Sequence, residues 1–240
     1  MNDAGWHVAP LQRGEAAALL ADGMTRFDAL ADDPVPTLRW YRTTTPAIVL
    51  GRGQRALKVD GEGIEIVDRF SGGGAVWLSP DVLSLDVLIP ADHPWVADTL
   101  TAVFDHVGAL WLEALRSLGV PHLSLHRGAS TAHRRGTARE QLLAAVCYAT
   151  RGRGEVFWRD RKLVGLAQRR RRHAAMVQCG LLRRWRPGPL LRALGADPHD
   201  RQIGTAAVGL DEICADPPDD APVIAAVHAA FTDAAGSPVR

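Results

Sequence analysis

Residues 69–76 read Arg-Phe-Ser-Gly-Gly-Gly-Ala-Val, with Gly72, Gly73 and Gly74 consecutive between two strand-like runs. Glycine loses more conformational freedom on folding than any other residue, so a triplet between strands costs more than a simple hairpin turn requires. In return the triplet offers bare backbone. A partner group can come close, and free N–H groups can cradle an acyl carbonyl, a carboxylate or a phosphate. Such a loop acquires meaning only if other parts of the chain supply matching chemistry.

The flanking segments can be read from their periodicity. Ile64 and Ile66 alternate before the loop and Val82 to Ile89 follow it, so both runs are expected strands. Residues 13–31 carry helical apolar spacing that Asp32-Asp33-Pro34 ends. Strands are expected at 37–41 and 47–50, the second running into the polar corner Gly51-Arg52-Gly53-Gln54. One long helix is expected from Trp95 to Leu118, with Val96, Leu100, Val103, Val107, Leu110 and Leu115 on one side, stopped by Pro121. A short strand at 122–125, a polar mobile loop over 126–141 and an apolar run at 142–148 come next. Then follow a hairpin with arms at 155–158 and 163–168, a strand at 174–182, and helices at 189–194, 210–213 and 222–234. This pattern is α+β: mainly antiparallel sheet with flanking helices, one domain over 1–240 with a short helical C-terminal tail from about 201.

Composition narrows the class. A chain of 240 residues supports one good core, and no apolar run is long enough to cross a bilayer. The N-terminus lacks a basic-then-apolar leader, and three cysteines without metal spacing do not make a disulfide framework. A cytoplasmic location is the default expectation. Net charge is +1, yet residues 127–186 hold sixteen Arg or Lys against three acids, Glu140, Glu155 and Asp160. Such a stretch is either a solvated basic face or a dock for an acidic partner. Of the 28 Lys and Arg residues only Lys58 and Lys162 are lysine. In an arginine-favouring chain, a lysine at a chosen place suggests a need for a compact ammonium.

Three motifs, Gly51-Arg52-Gly53-Gln54, Arg69-Phe70-Ser71-Gly72-Gly73-Gly74-Ala75-Val76 and Arg161-Lys162-Leu163-Val164-Gly165-Leu166-Ala167-Gln168, occur in this order. In this the chain resembles the lipoate/biotin protein ligase catalytic-domain superfamily, which includes lipoate–protein ligases, biotin protein ligases and octanoyltransferases. The resemblance runs over about residues 13–215 and implies a single biotin/lipoate-ligase-type catalytic domain of α+β fold. By position, Arg69, Ser71 and Gly72–Gly74 resemble the wall of a slot for a medium-chain acyl group. Arg52, Gln54, Gly165, Ala167 and Gln178 are the further substrate-binding positions that the resemblance implies. Lys162 matches a lysine that binds the acyl carbonyl or an acyl-adenylate. Independently of any family, an ammonium beside a carbonyl stabilises the oxyanion formed on attack. The plainer alternative is a solvated hairpin lysine.

Cys147 lies fifteen residues before Lys162 and just ahead of Arg151, Gly152 and Arg153. Its placement is similar to that of the nucleophilic cysteine in octanoyltransferases and lipoyl amidotransferases of the superfamily. Cations beside a thiol favour the reactive thiolate, whereas an ordinary free cysteine is a small buried hydrophobe. Cys179 is the alternative nucleophile, although a strand position argues for packing. The chain also departs from the ligase pattern: Thr150-Arg151 stand where ligases carry Asn-Asp, Trp77-Leu78 where His-Asp follows the glycines, and Gln178-Cys179-Gly180 where many members have Gln-His-Gly.

The resemblance and these departures imply an acyltransferase of lipoate metabolism. It moves an octanoyl or lipoyl group onto a lysine of an acidic lipoyl-carrier or acyl carrier domain through a Cys147 thioester, with Lys162 as the second catalytic residue. No metal or resident cofactor, no membrane and no nucleic-acid partner is expected. An ATP-dependent lipoate–protein ligase, using ATP and magnesium, is the alternative. A non-catalytic acyl- or nucleic-acid-binding member is the third reading.

Overall fold

A computed structural model describes residues 5–97, 99, 101–131 and 136–235. In chain order it contains β1 (His7–Gly14), α1 (Ala16–Ala29), β2 (Thr37–Thr43), β3 (Ala47–Leu50), β4 (Glu65–Asp68), β5 (Val76–Leu78) and β6 (Val82–Pro90). There follow α2 (Pro94–Ala97), α3 (Ala102–Ser117), β7 (Leu123–Leu125), α4 (Ala138–Ala145), β8 (Val156–Trp158), β9 (Arg161–Arg170) and β10 (Ala174–Leu182). The last elements are α5 (Gly188–Ala193), α6 (Arg201–Gly204), α7 (Leu210–Ile213) and α8 (Asp220–Ala235).

Among the described residues the strands make a seven-stranded sheet in the order β1-β2-β6-β10-β9-β8-β7 and a three-stranded sheet in the order β4-β3-β5. Only β1–β2 and β3–β4 pair in parallel; every other pairing is antiparallel, as the α+β pattern leads one to expect.

The central strands are covered on both faces, and strand alternation divides their side chains cleanly. Leu38 and Trp40 of β2, Leu83, Leu85, Val87 and Ile89 of β6, and Val177 and Leu181 of β10 enter the main core. Opposite them pack Val103, Val107, Trp111 and Leu115 of α3, and Val223, Val227 and Phe231 of α8. Burying a side chain of this kind stabilises by roughly 1.5–3 kcal/mol each, and this face anchors the fold. The alternate positions, Arg39, Tyr41, Ser84, Asp86, Gln178 and Gly180, fall on the other face. That face carries the buried polar groups Arg39, Ser84 and Asp86. It is also where α1 and the small sheet lie.

The structure corrects several sequence expectations. The helix expected over 95–118 is two, α2 and α3, and Leu100 lies outside the described residues. The expected loop over 126–141 contains the start of α4, where Thr137 and Glu140 form a reciprocal capping box. Ala132 to Arg135 of that loop lie outside the described residues. β1 was not expected, because Pro10 breaks its alternation; a register irregularity between Ala9 and Gln12 on this outermost strand accommodates it.

A contact between α3 and the segment before β8 fixes the position of Glu155. A Cβ placed on Gly108 would lie 2.0 Å from the carbonyl oxygen of Gly154. Arg153 Nε also donates to Asp105 Oδ1 of the same helix at 3.0 Å. Gly108→Ala gains helix propensity but forces backbone from backbone. We expect a net loss of about 1–3 kcal/mol, visible as a lower denaturant midpoint; an unchanged midpoint would show that the approach is not structural.

Candidate active site

The glycine loop is stitched to the Cys147 turn by backbone bonds. Arg69 N–H donates to Leu50 O at 2.9 Å and Arg52 N–H to Ser71 O at 3.0 Å, fixing both ends of the approach. Beyond the glycines, Ala75 N–H donates to Ala145 O at 2.7 Å and Cys147 N–H to Ala75 O at 2.9 Å. Gln54 braces the corner: its amide donates to Ala145 O at 2.9 Å and accepts from Gly51 N–H at 3.1 Å. Gly73 has φ of +98°, a left-handed conformation that a residue with a Cβ rarely adopts. At Gly74 a Cβ would lie 2.7 Å from Cys147 N. Gly73 and Gly74 are therefore dictated by one backbone turn and one backbone approach, while a Cβ on Gly72 would meet open space.

Arg69 sits at the centre of this turn, with only 8 % of its surface exposed. Its Nη2 donates to Gly72 O at 2.8 Å and to Gly74 O at 2.9 Å, and lies 3.9 Å from Cys147 Sγ. Cys147 begins a short 3-10 turn after α4 and is itself buried. Below them a narrow cavity of about 50 Å3 is lined by Arg69, Cys147 and Tyr148 and by apolar side chains such as Leu20, Val49 and Leu78. An apolar lining with few polar groups is the usual make-up of a small-molecule site. Gly165, Ala167 and Gln178 also line it.

Gly165 and Gly180 pair directly across β9 and β10, and the Tyr148 ring lies over them. Tyr148 OH donates to Gly180 O at 2.8 Å. Burial pushes that phenol, and the phenol of Tyr41, well above the usual range. Ser71 Oγ donates to Gln178 Oε1 at 2.6 Å, and Gln178 Nε2 reaches Asp86 Oδ1 at 3.4 Å. Asp86 in turn pairs with Arg39 at 2.8 Å, both fully buried. Burial raises the Asp86 carboxyl, while the Arg39 guanidinium opposes the shift.

Lys162, expected to meet a substrate carbonyl, is completely buried, and its ammonium has two protein acceptors: Glu155 Oε1 and the Cys147 backbone oxygen, both at 2.8 Å. It stands behind Cys147 and is not part of the cavity lining. Burial pushes the Glu155 carboxyl up, with Lys162 pulling the other way.

The remaining sequence candidates divide between two spaces. Gln54, Gly73 and Gly74 line a second, open cleft on the outer side of the loop. Ser71 and Gly72 act on loop geometry through Gln178 and Arg69, and the Arg52 side chain is exposed. Cys179 packs into the main core and borders the cavity; burial pushes its thiol well up. Glu155, Asp86 and Tyr148 were not singled out in advance. An acid inside an otherwise apolar strand, as at Asp86, or opening an apolar hairpin, as at Glu155, was the available signal. Among the described residues no cluster of three or more His, Cys, Asp or Glu could hold a metal ion, and no helix is long and apolar enough to cross a membrane.

Part of the arginine-rich stretch is paired with acids from outside it. Arg139 pairs with Asp200, Arg153 with Asp105, Arg161 with Glu212, Arg171 with Asp28 and Arg184 with Asp211. Arg170 donates to the Val96 carbonyl. The compensating acids come from elements outside the stretch, so a count along the segment overstates its field.

The site thus joins a glycine turn closed over a buried thiol to an apolar cavity in a mixed sheet. The model of the lipoyl protein ligase A/B catalytic domain matches residues 24–232, and the chain belongs to that family of enzymes. Two curated relatives are octanoyltransferases LipM. The one from Carboxydothermus hydrogenoformans is 29% identical over 161 residues, 62% of this chain and 56% of that protein. The one from Exiguobacterium sp. is 27% identical over 187 residues, 73% of this chain and 65% of that protein. The matched region thus spans less than two thirds of either relative. Among solved structures, a lipoate–protein ligase A bound with ATP superposes with a TM-score of 0.70 at 18% identity, covering 95% of this chain and 84% of that one. A bipartite lipoate protein ligase from Thermoplasma acidophilum, described with its E2 lipoyl domain, also gives 0.70 at 19% identity, covering 98% and 85%. At these identities the superpositions establish the fold.

Proposed function

We propose that the protein transfers an octanoyl or lipoyl group to a lysine of a lipoyl-carrier domain through a thioester on Cys147. The observation that carries this reading is Cys147 Sγ at the head of an apolar cavity, beside a buried cation and under a glycine turn. The octanoyltransferase relatives support the acyl group, and the archaeal ligase described with its lipoyl domain supports the kind of acceptor.

In the mechanism, the Cys147 thiolate attacks the donor thioester carbonyl, forming a carbon–sulfur bond while the π pair moves to oxygen. Collapse expels the donor thiol, which takes up the proton that Cys147 released to solvent. The acceptor amine then attacks the Cys147 thioester, an amide bond forms, and Cys147 leaves as the thiol with the proton from the amine. Dividing the transfer through a covalent intermediate replaces one difficult step by two easier ones. Lys162, held between Glu155 and the Cys147 carbonyl, keeps the turn in register.

Incubation with an octanoyl-thioester carrier and no ATP tests the reading. The expected result is one octanoyl adduct on the Cys147 peptide, removed by hydroxylamine and consumed by an added lipoyl domain. An absolute need for ATP and magnesium, with no adduct on Cys147, would refute it in favour of adenylate-forming ligation.

A further inference from the structure

We infer that Tyr148 sets the length of acyl chain that the cavity accepts, because its ring stands where a longer chain on Cys147 would have to go. This rests on the proposed Cys147 thioester and names the residue that gives that same site its chain-length preference. Three observations carry it.

The first is placement. Tyr148 follows Cys147 in the same 3-10 turn, and both residues line the cavity. A chain held on Cys147 Sγ and buried there shares its space with the ring. The second is fixation. Gly165 and Gly180 pair across β9 and β10 and leave bare backbone under the ring. A Cβ on Gly165 would lie 3.3 Å from Tyr148 Cε1 and Cζ, and one on Gly180 would lie 2.5 Å from the phenol oxygen. The hydroxyl donates to Gly180 O at 2.8 Å, and the Trp185 ring packs at 5.5 Å between centroids. Two absent side chains and one hydrogen bond thus seat the ring as a fixed wall. The third is size. The cavity beside the ring is about 50 Å3. An apolar void that accepts a benzene ring is about 150 Å3, so removing this ring would enlarge the space severalfold.

The selectivity follows from the wall. Each methylene that finds room to be buried is worth about fourfold in affinity. A methylene that meets a fixed ring gains nothing and forces side chains from their rotamers. Preference therefore falls sharply beyond one chain length, and the acyl group this site takes is a medium-length chain, with long fatty acyl groups excluded. The phenol moves no proton: burial holds it well above the usual range.

The test treats the full chain with n-alkyl methanethiosulfonates of graded length, reading the Cys147 peptide alone by mass spectrometry. The Cys147 thiolate attacks the sulfenyl sulfur of the reagent, a disulfide forms and methanesulfinate leaves. An alkyl chain is thereby hung from the same sulfur without donor, carrier or ATP. In the parent the dodecyl reagent is expected to react more slowly than the octyl. Tyr148→Ala is expected to raise the dodecyl-to-octyl rate ratio by about tenfold or more, and Tyr148→Phe, which keeps the ring, to leave it within about twofold. A ratio unmoved by Tyr148→Ala, one that rises equally in Tyr148→Phe, or a parent indifferent to length would overturn the assignment. Should Tyr148→Ala fail to fold, Tyr148→Leu decides, since it keeps an apolar side chain and is expected to raise the ratio by about threefold or more. No change there would overturn the assignment equally. The thioester reading fails separately, through an absent octanoyl adduct: the reagents report the room around Cys147 whether or not a donor acylates it.

Discussion

Cys147→Ala is expected to reduce transfer to a lipoyl domain by about a thousandfold or more, because a reaction routed through a covalent intermediate loses its route when the nucleophile goes. The fold should survive, since the site is small, buried and held by backbone bonds that alanine keeps: Cys147 N–H to Ala75 O and Cys147 O from Lys162. Circular dichroism and the unfolding midpoint should match the parent. Cys214→Ala, at a partly exposed position in the turn after α7, serves as the thiol control and should keep full activity. A Cys147→Ala protein that still transfers the acyl group in the absence of ATP would remove the thioester from the mechanism.

The second large effect concerns stability. Asp86 and Arg39 are both fully buried and 2.8 Å apart, and Arg39 also bonds Asp22 and the Leu19 carbonyl. Removing the carboxylate leaves a guanidinium in the interior without its main partner. Breaking one side of a buried pair costs about 3–5 kcal/mol, so Asp86→Ala is expected to lower Tm by roughly 6–20 °C. The loss should reach the site as well, because Asp86 supports Gln178 and Gln178 supports Ser71 at the head of the glycine loop. Replacing both charges, as in Arg39→Met/Asp86→Leu, should recover much of the stability but not the Gln178 contact. Thermal unfolding of the single and double variants measures both; a single variant within a degree of the parent would show that the pair contributes little.

The sequence disclosed what depends on local chemistry. Gly72–Gly74 announced a backbone turn, strand alternation announced β6 and β10, and the isolated Lys162 announced a special environment. It concealed what depends on partners distant along the chain. Lys162 was assigned to a substrate carbonyl with no protein partner foreseen, because Glu155 counted only as one acid in a basic stretch, whereas folding brings the two within 2.7 Å. The arginine excess, read as either a solvated basic face or a dock, is smaller than the count suggests because Asp28, Asp105, Asp200, Asp211 and Glu212 lie outside the segment counted. Helix boundaries failed for a similar reason: the apolar stripe of 95–118 continues across the break between α2 and α3, so periodicity alone bridges it.

Under the proposed transfer of an activated acyl group to an amine, the near-absence of lysine has a consequence of its own. Such a thioester is a standing hazard to any amine on the protein that bears it. Here just two lysines exist, and one, Lys162, has its ammonium sealed in an ion pair with none of its surface exposed. Lys58 is the remaining exposed lysine amine, and the surface charge is carried almost wholly by guanidinium groups, which stay protonated and do not accept acyl groups. The arginine habit of this chain thus leaves the intermediate with few acceptors close at hand, and self-labelling, when it occurs, should concentrate on Lys58.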